Sequence, residues 1–152
     1  MSTVLGGCDC GNLSVEMELS EPPDSYRPRA CDCRFCRKHA AAYVSDPKGS
    51  LRIKVRQTEL LGRYRQGSGT AECLLCARCG ILIGVFYQEG ELCYAAVNVQ
   101  AIGDGTTFGS PTVVSPKALA VDERVRRWKQ IWFPNVRLEI LRNALSDERR
   151  RI

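Results

Sequence analysis

The 152-residue sequence contains no apolar run near the roughly 20 residues that cross a bilayer. Its opening stretch, Met1–Gly7, has neither the basic region nor the apolar region of a secretory signal. Aromatic residues make up only 7%, and there is one histidine, His39. Neither an internal repeat nor a linker long enough to divide the chain is present. These absences lead us to expect a single cytoplasmic domain over residues 1–152, kept reduced and without a membrane partner.

Nine cysteines stand against that background. An odd number excludes a fully paired disulfide framework, and clustered cysteines in a reducing compartment read as metal ligands. The length is enough to bury a core, and 44% hydrophobic with 26% charged residues excludes a disordered chain. The net charge of +5 is uneven: Val121–Ile152 carries nine Lys/Arg against five Asp/Glu.

The body, about residues 1–100, reads as short strands between turn signals, the pattern of a mainly β domain. Candidate strands are Leu13–Leu19, Ala41–Ser45, Leu51–Val55, Ala71–Leu75, Ile81–Tyr87 and Leu92–Val97. Pro22-Pro23-Asp24, Asp46-Pro47-Lys48-Gly49, Gly67-Ser68-Gly69 and Glu89-Gly90 separate them. Ala101–Pro116, rich in Gly, Thr and Ser, reads as a long surface loop. Val121, Val125, Trp128 and Trp132 then fall on one face of a short C-terminal helix, with acids in its first turn and Pro134 as its stop. Asp147–Ile152, ending in three arginines, reads as a frayed tail.

Seven cysteines form three tight groups: Cys8-x-Cys10, Cys31-x-Cys33-x-x-Cys36, and Cys76-x-x-Cys79 followed by Gly80. A C-x-x-C turn lets two sulfurs converge on one ion about 2.3 Å away, and the glycine permits the tight turn. Seven sulfurs suggest four plus three. The two doublets would close a tetrahedral zinc site and the triplet would leave one position open, as catalytic zinc sites do. The closed site would then staple distant segments, so the metal-free protein should be poorly folded. Two other partitions remain. Cys33/Cys36 with Cys76/Cys79 would make a zinc ribbon, and His39 would close the triplet as a four-ligand structural site. Cys73 and Cys93 read as packed strand cysteines.

The run G-G-C-x-C-G, then C-x-C-x-x-C-R, then C-x-x-C-G resembles the glutathione-dependent formaldehyde-activating family, from Gly6 to about Leu82. The resemblance implies an Mss4-like β-tent of short antiparallel strands with zinc knuckles and two zinc ions. By motif it makes Cys8, Cys10, Cys76 and Cys79 structural ligands and Cys31, Cys33 and Cys36 catalytic ones. It further implies a carbon–sulfur lyase joining glutathione and formaldehyde into S-(hydroxymethyl)glutathione. The chain departs from the family at Ala40-Ala41-Ala42, where a glycine is common, and at Lys117, where a histidine is common.

Three thiolates give a zinc site of net charge −1, a weak Lewis acid better suited to capturing a fourth, substrate thiolate than to activating water. Arg34, Arg37 and Lys38 flank the triplet and would offset that charge or hold a glutathione carboxylate. Rival readings are a lyase acting on another thiol adduct, a zinc protein serving protein interactions, and a nucleic-acid binder. Few aromatics and a small charge surplus argue against the last. The sequence leaves room for a homo-oligomer.

Overall fold

The computed structural model describes residues 1–103 and 105–141, and the proposed tail Asp147–Ile152 lies outside them. In chain order the strands are β1 (Ser2–Gly7), β2 (Leu13–Leu19), β3 (Arg29–Cys31), β4 (Ala42–Val44), β5 (Ser50–Val55), β6 (Leu61–Arg65), β7 (Glu72–Cys76), β8 (Leu82–Glu89), β9 (Leu92–Asn98), β10 (Thr112–Val114) and β11 (Val136–Ile140). Helix α1 (Arg34–Lys38) follows β3, and α2 (Val121–Ile131) precedes β11. The strands make a four-stranded sheet, β1-β2-β5-β11, and a seven-stranded one, β10-β3-β4-β9-β8-β7-β6.

Alternation builds the smaller sheet. In β2, Leu13, Val15, Met17 and Leu19 are buried while Ser14, Glu16 and Glu18 face outward. Antiparallel pairing sets Leu13 opposite Val55, Val15 opposite Ile53 and Met17 opposite Leu51, so both strands bury the same face. A one-residue slip would turn every one of these side chains to water. At about 1.5–3 kcal/mol per buried large aliphatic side chain, this face specifies the register.

The larger sheet is used on both faces. Val44, Leu74, Ile83, Ala95 and Val97 pack against the smaller sheet together with Phe133, which is fully buried. Tyr43, Cys73, Leu82 and Ala96 face the other way, under Trp128 and Trp132. That second face carries the candidate site. Trp128 and Trp132 stack with ring centroids 4.7 Å apart, one helical turn from each other. Helix α2 ends at Ile131, and Phe133 then locks onto Ala95 through backbone hydrogen bonds of 2.9 and 3.2 Å.

All six expected strands are present, with ends shifted by one or two residues, and the helix lies where its period placed it. Of the five further strands, β1, β3, β6 and β10 had too little alternation to read, whereas β11, Val136-Arg137-Leu138-Glu139-Ile140, alternates yet is not among the expected ones. β3 and β10 have three residues each, and β10 lies inside the stretch read as a loop. Two pairings are parallel, β10 on β3 and β11 on β5, in an otherwise antiparallel fold. No helix among the described residues is long and apolar enough to cross a membrane.

Candidate metal centres

The fold gathers the seven motif cysteines into two groups. Cys8 and Cys10, in the β1–β2 turn, meet Cys76 at the end of β7 and Cys79 in the turn beyond, with all four sulfurs within 4.8 Å of one another. Sulfur separations are 3.7 Å for Cys8–Cys10 and 3.5 Å for Cys10–Cys76. A tetrahedron of thiolates about 2.3 Å from a zinc ion has edges of about 3.8 Å, so this donor set fits the ion. Local geometry explains the convergence. Gly80, at φ 82°, lets its N–H reach Cys76 O at 2.8 Å, while Cys79 N–H points at Cys76 Sγ at 3.5 Å. Leu13 N–H donates to Cys8 Sγ at 3.2 Å.

Cys31, Cys33 and Cys36 form the second group, again with sulfurs within 4.8 Å. Cys33 caps α1: its sulfur accepts from Cys36 N–H at 3.4 Å and from Gln66 Nε2 at 3.1 Å. Cys36 turns inward from α1 and its sulfur lies 3.1 Å from the Tyr43 hydroxyl. The chain leaves this helix through Ala40 at φ 49°, a left-handed conformation unusual for alanine, with Ala41 N–H bonded back to Cys36 O at 2.9 Å.

The zinc-ribbon partition is not what the fold assembles, since Cys33/Cys36 and Cys76/Cys79 fall in different groups. His39 is in neither group; its ring packs 4.7 Å from Phe35, which stacks on Tyr64.

Ionisation is uneven within each group. Contact with Cys36 brings Cys31 down to about 6 against the effect of burial, and the same contact, with burial, raises Cys36. Burial raises the Tyr43 phenol, with the facing Cys36 adding to it, so Tyr43 keeps its proton. Burial also opposes ionisation of Cys79, but backbone N–H groups of Cys10 and Ile81 outweigh it and bring the thiol to about 6. Cys8 is pushed up to about 11, chiefly by burial.

Only the triplet opens into the large cavity. A space of about 730 Å³ is floored by Cys31, Cys33, Cys36 and Tyr43, and the four-sulfur group contributes nothing to it. Cys73 also lines it, its thiol held protonated by burial and by the nearby Cys33 and Cys31. Trp128, Ile131 and Trp132 form an apolar wall, and Gln66, Gly67 and Ser68 in the β6–β7 turn form a rim. Across from the rim, the chain after β10 is clasped to the triplet. Asp32 N–H bonds Val114 O at 3.0 Å, Ser115 Oγ donates to Asp32 Oδ2, and Lys117 Nζ lies 3.9 Å from Asp32 Oδ1.

The cations facing this cavity are Arg29, Lys117, Arg124 and Arg127. Arg34, Arg37 and Lys38, expected from their neighbourhood in sequence, are exposed and outside its lining. A five-residue helix that buries Cys36 must turn the residues around it outward. Arg29 had a readable signal: it stands two residues before Cys31 in an extended strand, hence on the same face. Tyr43 and Gln66 had none, because tertiary packing alone brings them to the sulfurs. Cys73 is packed, as expected, but on the cavity wall.

The glutathione-dependent formaldehyde-activating enzyme family model matches residues 3–119, which include both sulfur groups. The chain belongs to this family. A crystal structure of a Rhodobacter sphaeroides protein, a structural-genomics target, is similar to this glutathione-dependent formaldehyde-activating family member. The two share 32% identity over 68% of this chain and 90% of that one, with a TM-score of 0.52. No protein of curated function matches the sequence.

Proposed function

We propose that this family member is a zinc-dependent carbon–sulfur lyase acting at Cys31, Cys33 and Cys36, with a glutathione-like thiol and formaldehyde as substrates. In the synthetic direction the substrate sulfur bonds to the aldehyde carbon, the carbonyl π bond opens, and the thiol proton ends on the new hydroxyl oxygen. Atoms and electrons balance without an oxidant.

The reading rests on one observation: three sulfurs converge on the floor of a cavity, while the other four converge away from it. Zinc held by Cys31, Cys33 and Cys36 would offer one open position suited to a substrate thiolate. The chain's own groups prepare that floor. Gln66 Nε2 and Cys36 N–H fix the Cys33 sulfur, and the Tyr43 hydroxyl lies 3.1 Å from the Cys36 sulfur, to which it would donate once that sulfur is a metal-held thiolate. Each such bond damps negative charge where three thiolates crowd together. Lys117, drawn to the triplet by Asp32, is placed to face a developing alkoxide. The indole wall gives the reacting groups one apolar side. The four-sulfur group would hold a closed, structural zinc.

Exchange NMR on glutathione with formaldehyde tests the assignment. Zinc-loaded wild type should form the adduct faster than the uncatalysed mixture, and Cys36→Ser should fall back to the uncatalysed rate. Equal rates with both proteins would sink it.

A further inference from the structure

Two of the four cavity cations have partners that account for them. Lys117 faces Asp32, and Arg124 donates to Pro116 O and Leu119 O, both at 3.1 Å. Arg29 and Arg127 differ. Arg29 donates to Ser45 Oγ at 2.6 Å, and the Ser45 hydroxyl in turn donates to Ile131 O at 2.7 Å. Neither arginine pairs with a carboxylate among the described residues. The bonds from Arg29 to Ser45 and from Ser45 to Ile131 bring the Arg29 guanidinium up to α2, where Arg127 lies one helical turn before Ile131 on the same face. A guanidinium partly withdrawn from water without a carboxylate partner, as Arg29 is, carries a cost that an anion beside it would offset. Both line the cavity, where a ligand can supply that anion.

Their position gives the ligand a direction. Arg29 and Cys31 share one face of β3, but the Arg29 guanidinium leans toward Ser45, two residues beyond its β4 partner Tyr43 and away from the cysteines. Arg127 adds its charge from α2, whose Trp128 and Ile131 line the same wall. The cavity thus has a sulfur-rich floor, an apolar wall and a pair of uncompensated guanidiniums. Resting on the reading of the triplet as the sulfur-handling end, we infer that Arg29 and Arg127 form a carboxylate-binding end of the same cavity, so that its substrate is a thiol or thiol adduct carrying a carboxylate beside an apolar body. Guanidiniums match a carboxylate in planar, bidentate geometry, and the stacked indoles take the apolar part. A short neutral thiol reaches only one of the two ends.

Both tryptophans of the chain line the cavity, so intrinsic fluorescence reports its occupancy. The zinc-loaded full chain is titrated with phenylpropionate, phenylpropanol and phenylpropanethiol, which share one apolar body. The acid should bind at least about tenfold more tightly than the alcohol, the worth of a charge-assisted hydrogen bond. That preference should vanish in Arg29→Gln and in Arg127→Gln; Arg127 is an exposed helical residue, so its variant decides if the other fails to fold. Equal affinity for acid and alcohol, no binding of the acid, or an acid preference unchanged in Arg127→Gln overturns the carboxylate end. A thiol no better than the alcohol, with the acid still preferred, overturns the sulfur-handling reading and leaves the carboxylate end standing.

Discussion

The closed group draws Cys8 and Cys10 from the first turn to Cys76 and Cys79 beyond the middle of the chain, whereas the open group spans only Cys31 to Cys36. The first ties β1 to β7, strands of different sheets. The second hangs on one strand end and one helical turn, and its sulfurs face a cavity instead of a core. Ligand type is the same in both. What differs is the length of chain each group closes, and the separate duties proposed above follow from it: one would hold the sheets together, the other would handle a substrate.

If that contrast is right, the largest effect belongs to Cys76. Cys76→Ser should abolish cooperative folding at 25 °C, because structural zinc contributes about 10–16 kcal/mol and most domains have only about 5–15 in total. Loss of near-ultraviolet circular dichroism would show it, and a sharp melting transition in the variant would break the comparison. Cys31→Ser should keep the wild-type melt within a few degrees while losing one of two bound zinc ions by atomic absorption, together with adduct formation.

A smaller effect comes from a tie that uses no metal. Asp46 accepts from Ser20 N–H, Ser20 Oγ and Lys48 N–H at 2.7–2.8 Å and from Tyr26 Oη at 2.6 Å. Burial opposes its ionisation, but the bonds from Tyr26 and Ser20 outweigh it and hold the carboxyl below its usual range. Asp46→Asn should cost about 2–4 kcal/mol at neutral pH by urea denaturation. Because the folded group ionises more readily than the unfolded one, that stability is complete above about pH 4 and is lost as pH falls through the lower, folded value. The gap between wild type and variant should therefore close in acid; a gap independent of pH would deny the charge any role.

Smallest is Ala40→Gly. Relieving a left-handed alanine at the exit of the open group should stabilise the protein by about 0.5–1 kcal/mol, read as a higher urea midpoint. No gain would mean that the triplet's backbone is unstrained.

Several of these features were open to reading in the sequence and others were not, for physical reasons. The alternation Leu13-x-Val15-x-Met17-x-Leu19 survives because one face meets a core and the other meets water. The spacing of Val125, Trp128 and Trp132 survives for the same reason on a helix, while Val121 in its first turn is exposed at the cavity edge. Cysteine spacing exposed the ligand groups because a turn must place both sulfurs on one ion. Three-residue strands such as β3 and β10 are too short to show a period, and β10 exists because the parallel strand β3 offers it hydrogen bonds. Charge was the weakest guide. Arg34, Arg37 and Lys38 are neighbours of the cysteines in sequence, while Arg124 and Arg127 reach the cavity because α2 folds back over the larger sheet and Lys117 because the chain after β10 is clasped to Asp32.

The reach of the closed group also sets an order in time. Cys31, Cys33 and Cys36 leave the ribosome almost together and need no distant partner to meet. Cys8 and Cys10 must wait until residue 79 has been synthesised, a matter of seconds at roughly 5–20 residues per second. Were both groups to take up metal, the triplet would have the more complete ligand set during that interval and the first claim on the ion. The two sheets cannot be stapled through these cysteines until β7 has been made, so loading of the proposed reactive end would precede closing of the fold around it.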